Sequence, residues 1–422
     1  MKNAVLAAAA LLFGFAMLQM GNALQGTLLA LRGQAEGFPA FAVGAVMSGF
    51  FLGMGAGTFI APALIRRAGH MRAFAAFASM ASAAALLHLL FLNIPAWLLI
   101  RAFTGLCFAG LIMVVESWLN ASVESRSRGG ILAIYAATGL GAGALGQMQI
   151  SLADPESYVL FAWVSIVLSL ALVPASLSTA ALPPGDPPEA RLAVLPILRA
   201  SPFGAGATVF VGMTVGCFFA LGPVFAQERG LGQAQLGLFM ALATGAAMLS
   251  QWPLGRLSDR TSRRLVASLT AAAACAVLFG FLSLPTDSLA TLVLGAALGA
   301  TLFPTQAIAA AQVNDRVERR HAVAAAGTLV LLLSAGAASG PVIAGAAMDV
   351  MGARGFVVAL IAFQGGIVAL GLIRLVMNPR FRTHAERTRW GSLQPVLGFA
   401  PRLGPLQGDL FSRPRRNSDR RR

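Results

Sequence analysis

Residues 96–121, AWLLIRAFTGLCFAGLIMVVESWLNA, hold two ionisable side chains, Arg101 and Glu116, in a run that is otherwise apolar. About 20 such residues cross a bilayer, and a charge kept at that depth is costly and usually functional. The two positions are 15 residues apart, about 22 Å along a helix and about 60° around its axis, so they cannot pair with each other. Arg101 is a candidate cavity cation that binds an anionic substrate group or modulates a nearby proton site. The plainer reading is a side chain snorkelling to the nearer membrane surface. Glu116 is a candidate proton carrier, or an inner latch for Arg67 or Arg72, with the latch slightly favoured.

Uncharged polar residues mark further candidate positions. Gln19, Asn22 and Gln25 share a loose face of the first apolar run, and Gln147 and Gln149 fall in the fifth. Thr301, Thr305 and Gln306 lie in the tenth, beside Pro304, which frees a backbone carbonyl. Each is a candidate for the substrate or proton pathway, and each could instead be interhelical glue worth about 0.6 kcal/mol.

The elements that position these residues follow from composition. The chain has 422 residues, 57% of them hydrophobic and 11% charged, with a mean hydropathy of +0.75. Soluble domains carry about 25% charged residues, so the class is an all-α polytopic membrane protein. The 46 glycines suit helices packed closely in lipid. Arginine clusters, prolines and glycines cut the chain into twelve spans, near 4–31, 38–65, 72–93, 96–121, 130–152, 157–179, 201–226, 235–255, 264–285, 288–312, 321–347 and 353–376. The first is too long for the apolar core of a signal peptide and reads as a retained helix. Cys107, Cys217 and Cys275 fall inside apolar runs and read as small core residues, not as a disulfide or metal framework.

The basic residues set an expected topology. With the N-terminus cytoplasmic, the inner loops hold Lys2, Arg66, Arg67, Arg72, Arg126, Arg128, Arg191, Arg199, Arg256, Arg260, Arg263, Arg264, Arg316, Arg319 and Arg320, and the outer loops only Arg32, Arg229 and Arg354. Both termini are then cytoplasmic. Trp97, Trp118, Trp163 and Trp252 lie near span ends, where interfacial tryptophans belong. The expected organisation is a six-helix bundle over 1–179, a proline-rich cytoplasmic linker over 180–200, a second bundle over 201–377 and a basic disordered tail over 378–422, attracted to anionic lipid head groups.

The chain also repeats itself. A shift of 193 residues brings Gly44 onto Gly237 and Arg67 onto Arg260, and PALIRRAGHMR onto GRLSDRTSRRL. At a shift of 194, SVESR meets RVERR, Gly105 meets Gly299, and Gly146 meets Gly340. Two parallel six-span copies are the plan of one large transporter class. Arg101 and Glu116 have Gly295 and Ala310 as repeat mates, so the copies differ where function is expected. In the polar knot, Gly255 permits close helix approach, Asp259 suits a helix start or an arginine, and Arg260, Arg263 and Arg264 could clamp the halves together. Alternatively, these arginines only set topology. The first copy has Arg66 in place of the acid, beside Arg67 and Arg72, so its carboxylate must come from elsewhere.

GRLSDRTSRR (255–264) resembles the signature of the major facilitator superfamily, with Ser262 where a glycine is usual. RAFTG (101–105, ending in Gly105) is similar to that family's Arg-x-x-x-Gly motif. GAASGPVIAG (336–345) is similar to its Gly-x-x-x-Gly-Pro motif, through Gly336, Gly340 and Pro341. VVESWLNASVESRSRGGILAIY and the Gln251-Trp252-Pro253 run look like the poorly characterised YcaD-like branch. The resemblance implies a twelve-helix fold in two pseudo-symmetric bundles, with the first, fourth, seventh and tenth helices lining a pathway. Ala144, where efflux antiporters of the family typically carry proline, argues against antiport.

Charge placement in short loops and one tail disfavours nucleic acid as a partner. No phosphate-cradling loop is present, so ATP is not the direct energy source. No metalloprotease helix motif or Ser/His/Asp cluster supports an enzyme, and His88 stands apart. The expected function is secondary transport of a small organic solute, proton-coupled, as a monomer in the cell inner membrane, without cofactor or metal. Efflux is slightly favoured. Uptake of a polar or anionic metabolite is the alternative, and a non-transporting sensor of the same fold is a further one.

Overall fold

The computed structural model describes residues 2–122, 128–177, 194–284, 288–317 and 322–377. The arginine-rich tail, most of the expected linker, and Arg126, Arg191, Arg319 and Arg320 lie outside those residues. The described residues form fifteen α-helices and one 3₁₀ turn. The first half comprises α1 (Lys2–Ala35), α2 (Ala40–Ala68), α3 (His70–Leu90), α4 (Ile94–Ser122), α5 (Arg128–Met148) with the turn Gln149–Leu152, and α6 (Val159–Leu170) with α7 (Leu172–Leu177). After α8 (Val194–Ala200), the second half comprises α9 (Pro202–Glu228), α10 (Gln233–Arg260), α11 (Arg263–Ser283), α12 (Ser288–Leu302) with α13 (Pro304–Asn314), α14 (Ala322–Met351) and α15 (Ala353–Met377). Taking α6 with α7 and α12 with α13 as single rods gives the twelve expected segments in two bundles of six. By length and composition, eight of the described segments meet a strict test for crossing a membrane. Large apolar side chains such as Leu99, Leu249, Leu289 and Val293 are exposed around the bundle. Lipid, not water, is the solvent that tolerates such a surface.

Local chemistry explains where the rods differ from expectation. The sixth and tenth spans each break shortly before or at a proline, Pro174 and Pro304, which cannot continue the hydrogen-bond ladder. Residues 255–260 form the last turns of α10 and are not a loop: the helix runs on through Pro253 to Arg260 and ends only where Thr261 turns extended. Ser262 then caps α11 by accepting from the Leu265 N–H. The second and third spans are joined by Gly69 alone, at φ +81°, a conformation that favours glycine. The linker is not all loop: Ile197 of α8 is buried with Ala205, Val313, Ala325 and Leu329 under the second half.

The duplication is visible in the packing. A Cβ on Gly105 would lie 1.9 Å from the Phe50 carbonyl oxygen, and one on Gly299 would lie 2.0 Å from that of Ala243. A Cβ on Gly146 would come within 2.2 Å of the Met20 oxygen, and one on Gly340 within 2.2 Å of the Met213 oxygen. The partners Phe50 and Ala243, and Met20 and Met213, are themselves repeat mates. Each half is thus closed by the same backbone contacts, which only glycine permits. The seam between halves runs where α2 meets α14 and where α5 meets α10.

Overpacking a tight site costs about 1–3 kcal/mol. Gly105→Leu and Gly299→Leu are therefore expected to lower the melting temperature of the purified protein by several degrees each. Gly141→Leu, where nothing lies within 4 Å, should leave it nearly unchanged. Equal melting of all three would contradict the packing account.

Candidate functional site

A cavity of about 180 Å³ lies between the halves, with walls from α1, α2, α4, α5, α9, α10, α13 and α14. Its lining is mainly apolar: Phe15, Met47, Phe50, Phe108, Ile112 and Phe219 supply much of the wall. The polar positions are Gln19, Asn22, Thr27, Tyr135, Gln147, Thr244, Gln306 and Ser334. Arg101 carries the one formal charge in the lining.

Arg101 is only 3% exposed, which overturns the snorkelling reading. It projects from α4 into the seam. Its Nη1 donates to Gln25 Oε1 at 3.4 Å, and its guanidinium lies 4.6 Å from the centre of the Phe50 ring. Its Nε is buried with no hydrogen-bond partner, as are Gln25 Nε2 and Asn22 Oδ1. In the second half the repeat mate, Gly295, is covered by the Phe239 ring, so that half offers no matching cation.

Glu116 is 2% exposed, and its Oε1 accepts from the Tyr135 hydroxyl at 3.2 Å. Tyr135 belongs to the cavity wall, so the carboxyl stands one side chain behind it. Arg66, Arg67 and Arg72 are exposed. The inner latch from Glu116 to Arg67 or Arg72 is therefore not formed in this conformation, since the carboxyl is buried among helices while both arginines face outward.

Of the remaining candidates, Gln19, Asn22, Gln147 and Gln306 line the cavity, and Gln25 sits behind Arg101. Gln147 accepts from Thr244 at 3.1 Å across the seam. Thr301 does not line the cavity; it donates to Ala297 and Leu298 of its own helix, as Thr305 does to Thr301. Gln149 lies at the end of the bundle, accepting from Trp163 Nε1. Trp97 is buried and donates to the His88 carbonyl, and Trp118 is buried too, so neither is an interfacial anchor.

The polar knot also differs from expectation. Arg263 pairs with Asp259 at 2.9 Å and with Asp315 at 2.6 Å, and Arg264 donates to the Arg374 carbonyl. All these partners belong to the second half, because α10, α11 and α13 converge there, so these bonds tie that half to itself and not to the first. Gly255 borders a small cleft between α10 and α13, and Arg260 is exposed. Gly336 and Gly340 press on α9, while the Pro341 carbonyl faces Gly44 of α2.

The opposite end of the seam is closed. Both carboxylate oxygens of Asp349 accept backbone N–H groups at the start of α2, Ala40 at 2.7 Å and Phe41 at 3.1 Å. These are the free donors of a helix N-terminus, and Pro39 at the cap position offers no side-chain bond to them. On the other side, Gln233 at the start of α10 donates to the Ile150 and Ala153 carbonyls after α5. Gly44 against Pro341 and Gly237 against Gln147 lie just inside these bonds. The cavity begins beneath them and runs toward the end that carries Arg66 and Arg263.

Sequence reasoning missed Asp349, Gln233, Thr244, Ser334 and Tyr135. Tyr135, one of two tyrosines, carried the clearest signal, as a polar-tipped ring deep in an apolar span. The others needed the seam itself to be seen.

Two like helical halves around a cavity sealed at one end define a multi-pass membrane transport protein. The chain belongs to the Major Facilitator Superfamily, whose family model matches residues 11–341. It is 31% identical to an uncharacterized MFS-type transporter of Enterobacter sp. (strain 638) over 334 residues, 78% of this chain and 86% of the relative. It is 30% identical to the uncharacterized MFS-type transporter YcaD of Escherichia coli, with the same coverage. In fold it matches a mutant of the nucleoside transporter NupG, with a TM-score of 0.71, 14% identity, and coverage of 88% of this chain and all of that one. It also matches a bacterial homolog of the human lysosomal transporter Spinster, with a TM-score of 0.72, 14% identity, and coverage of 90% and 98%. Family and relatives place it with transporters and not with enzymes.

Removing a helix cap costs about 1 kcal/mol, roughly a fivefold change in an equilibrium. Asp349→Ala should therefore raise, several-fold, the rate at which an impermeant maleimide reaches a Met47→Cys thiol from the sealed side. An unchanged rate would show that Asp349 does not hold that end shut.

Proposed function

We propose that the chain is a secondary transporter that moves a small organic solute by alternating access, coupled to protons, in the inner membrane of a bacterial cell. The observation that supports this reading is the cavity placed between two pseudo-symmetric halves, shut at the Asp349 end and extending toward the other. The positive-inside rule puts the Arg66 and Arg263 end, with both chain termini, in the cytoplasm. In that assignment the described conformation faces inward.

Rocking of the halves would break the Asp349 cap and the Gln233 bonds together and open the other side. Asp259 and Arg263 would meet the first half only in that second state. Glu116, hydrogen-bonded behind Tyr135, is the proton site of this reading, because its charge would change next to the cavity wall. The largely apolar lining suits an amphipathic solute and favours efflux over uptake of a polar metabolite, which outweighs the signal of Ala144 against antiport. A single monomer carries the solute, and the arginine-rich tail is assigned to anionic lipid.

The test is reconstitution into proteoliposomes challenged with a panel of labelled small organic solutes, with and without a pH gradient. At least one solute should move saturably, with a rate that responds to the gradient. Glu116→Gln should keep exchange at equal pH and lose the response to the gradient. No protein-dependent flux across the panel, or an unchanged response in Glu116→Gln, would contradict the proposal.

A further inference from the structure

Among the described residues, Arg101 has no counterion. The cavity lining contains no carboxylate, and Glu116 lies about 22 Å away along the same helix. The guanidinium has five donors in a planar fork, yet it holds one long bond to Gln25 and the face of Phe50, and its Nε has no partner. A buried charge is usually paired, because leaving it unpaired forfeits hydration without return. One turn from Gln25, on the same side of α1, Asn22 turns an unpartnered carbonyl oxygen in the same wall. An empty pairing position therefore waits beside a free acceptor.

The surroundings define what would fill it. On α4, Arg101, Phe108 and Ile112 follow at spacings of seven and eleven residues, which places them on one face over about 16 Å. Phe15 and Phe50 complete an aromatic wall along that strip. The charge thus sits at the closed, deep end of the cavity, and the apolar strip leads from it toward the Arg66 and Arg263 end.

Resting on the carrier reading above, we infer that the solute is a singly charged amphipathic carboxylate, its acid group on Arg101 and its aryl or alkyl body along the Phe50–Phe108–Ile112 strip. The guanidinium fork takes the carboxylate in a two-bond contact, and Asn22 accepts from a donor group next to it. A single cation flanked by neutral amides matches one negative charge and leaves the second charge of a phosphate monoester uncompensated. A cationic solute would be repelled at the deep end.

The test uses the purified full chain in nanodiscs with four probes that share one body: 4-phenylbutyrate, 4-phenylbutanamide, 4-phenylbutylamine and 3-phenylpropyl phosphate. Calorimetric binding should favour the carboxylate at least tenfold over each of the others. Arg101→Gln should abolish that preference, and Arg101→Lys should restore part of it. Asn22→Asp, which leaves Arg101 in place but supplies a carboxylate beside it, should weaken carboxylate binding at least tenfold.

Equal or tighter binding of the amide, amine or phosphate would overturn the inference, as would an unchanged preference in Arg101→Gln or Asn22→Asp, or no binding of the carboxylate. Flux assays on the same probes separate the two readings. A neutral or cationic probe that is bound and moved would overturn the anion assignment alone. Flux of no solute at all would overturn the carrier reading beneath it.

Discussion

In lipid there is no hydrophobic force to hold helices together, so packing must come from close approach of backbones. That constraint shapes this chain from one end to the other. Gly105 and Gly299, and Gly146 and Gly340, let α4 and α5, and α12 and α14, sit directly on the carbonyls of their neighbours. Because repeat mates make the same contacts, each half is a stiff body. The seam between halves uses such approaches too, Gly44 on the Pro341 carbonyl and Gly345 on that of Ala40. Its closed end adds polar bonds that share a boundary, from Asp349 to the start of α2 and from Gln233 to the end of α5.

The scaffold is symmetric and the site is not. Where the first half carries Arg101 over Phe50, the second carries Gly295 filled by Phe239. Glu116, bonded to Tyr135, has Ala310 as its mate. The charge in the cavity wall thus comes from the first half, while the second contributes neutral groups such as Thr244, Gln306 and Ser334. The two closures of the seam are unlike in the same way: one is a carboxylate on backbone N–H groups, the other an amide on carbonyls. Only the first involves a formal charge.

Much of the fold was legible in the residues because a membrane imposes length and polarity on every span. Twelve rods, their order and the duplication follow from hydropathy, arginine clusters and the 193-residue shift. What was not legible depended on geometry across the seam. The sequence shows Asp349 as a loop acid, because nothing in AAMDVM says that α2 begins opposite it. It leaves Arg263 open as a clamp between halves or a topology signal, whereas Asp315, distant in sequence, joins Asp259 on it within the second half. Trp97 lies at a span end as an interfacial tryptophan should, yet it packs against His88 in the interior. Arg101 and Glu116 stood out because a charge in an apolar run is costly wherever the helices go. Their partners, Gln25 and Tyr135, became visible only once the helices were packed.

Alternating access in this chain requires that two stiff halves rock about this seam, so that one end opens as the other shuts. The most direct measurement is a pair of spin-label distances across the halves in proteoliposomes, one between positions 35 and 354 at the Asp349 end and one between positions 72 and 260 at the basic end. The account predicts two populations at each end that shift in opposite senses when solute or pH is changed, with distances inside each half constant. A single unchanging distance across the Asp349 end during solute flux would contradict it.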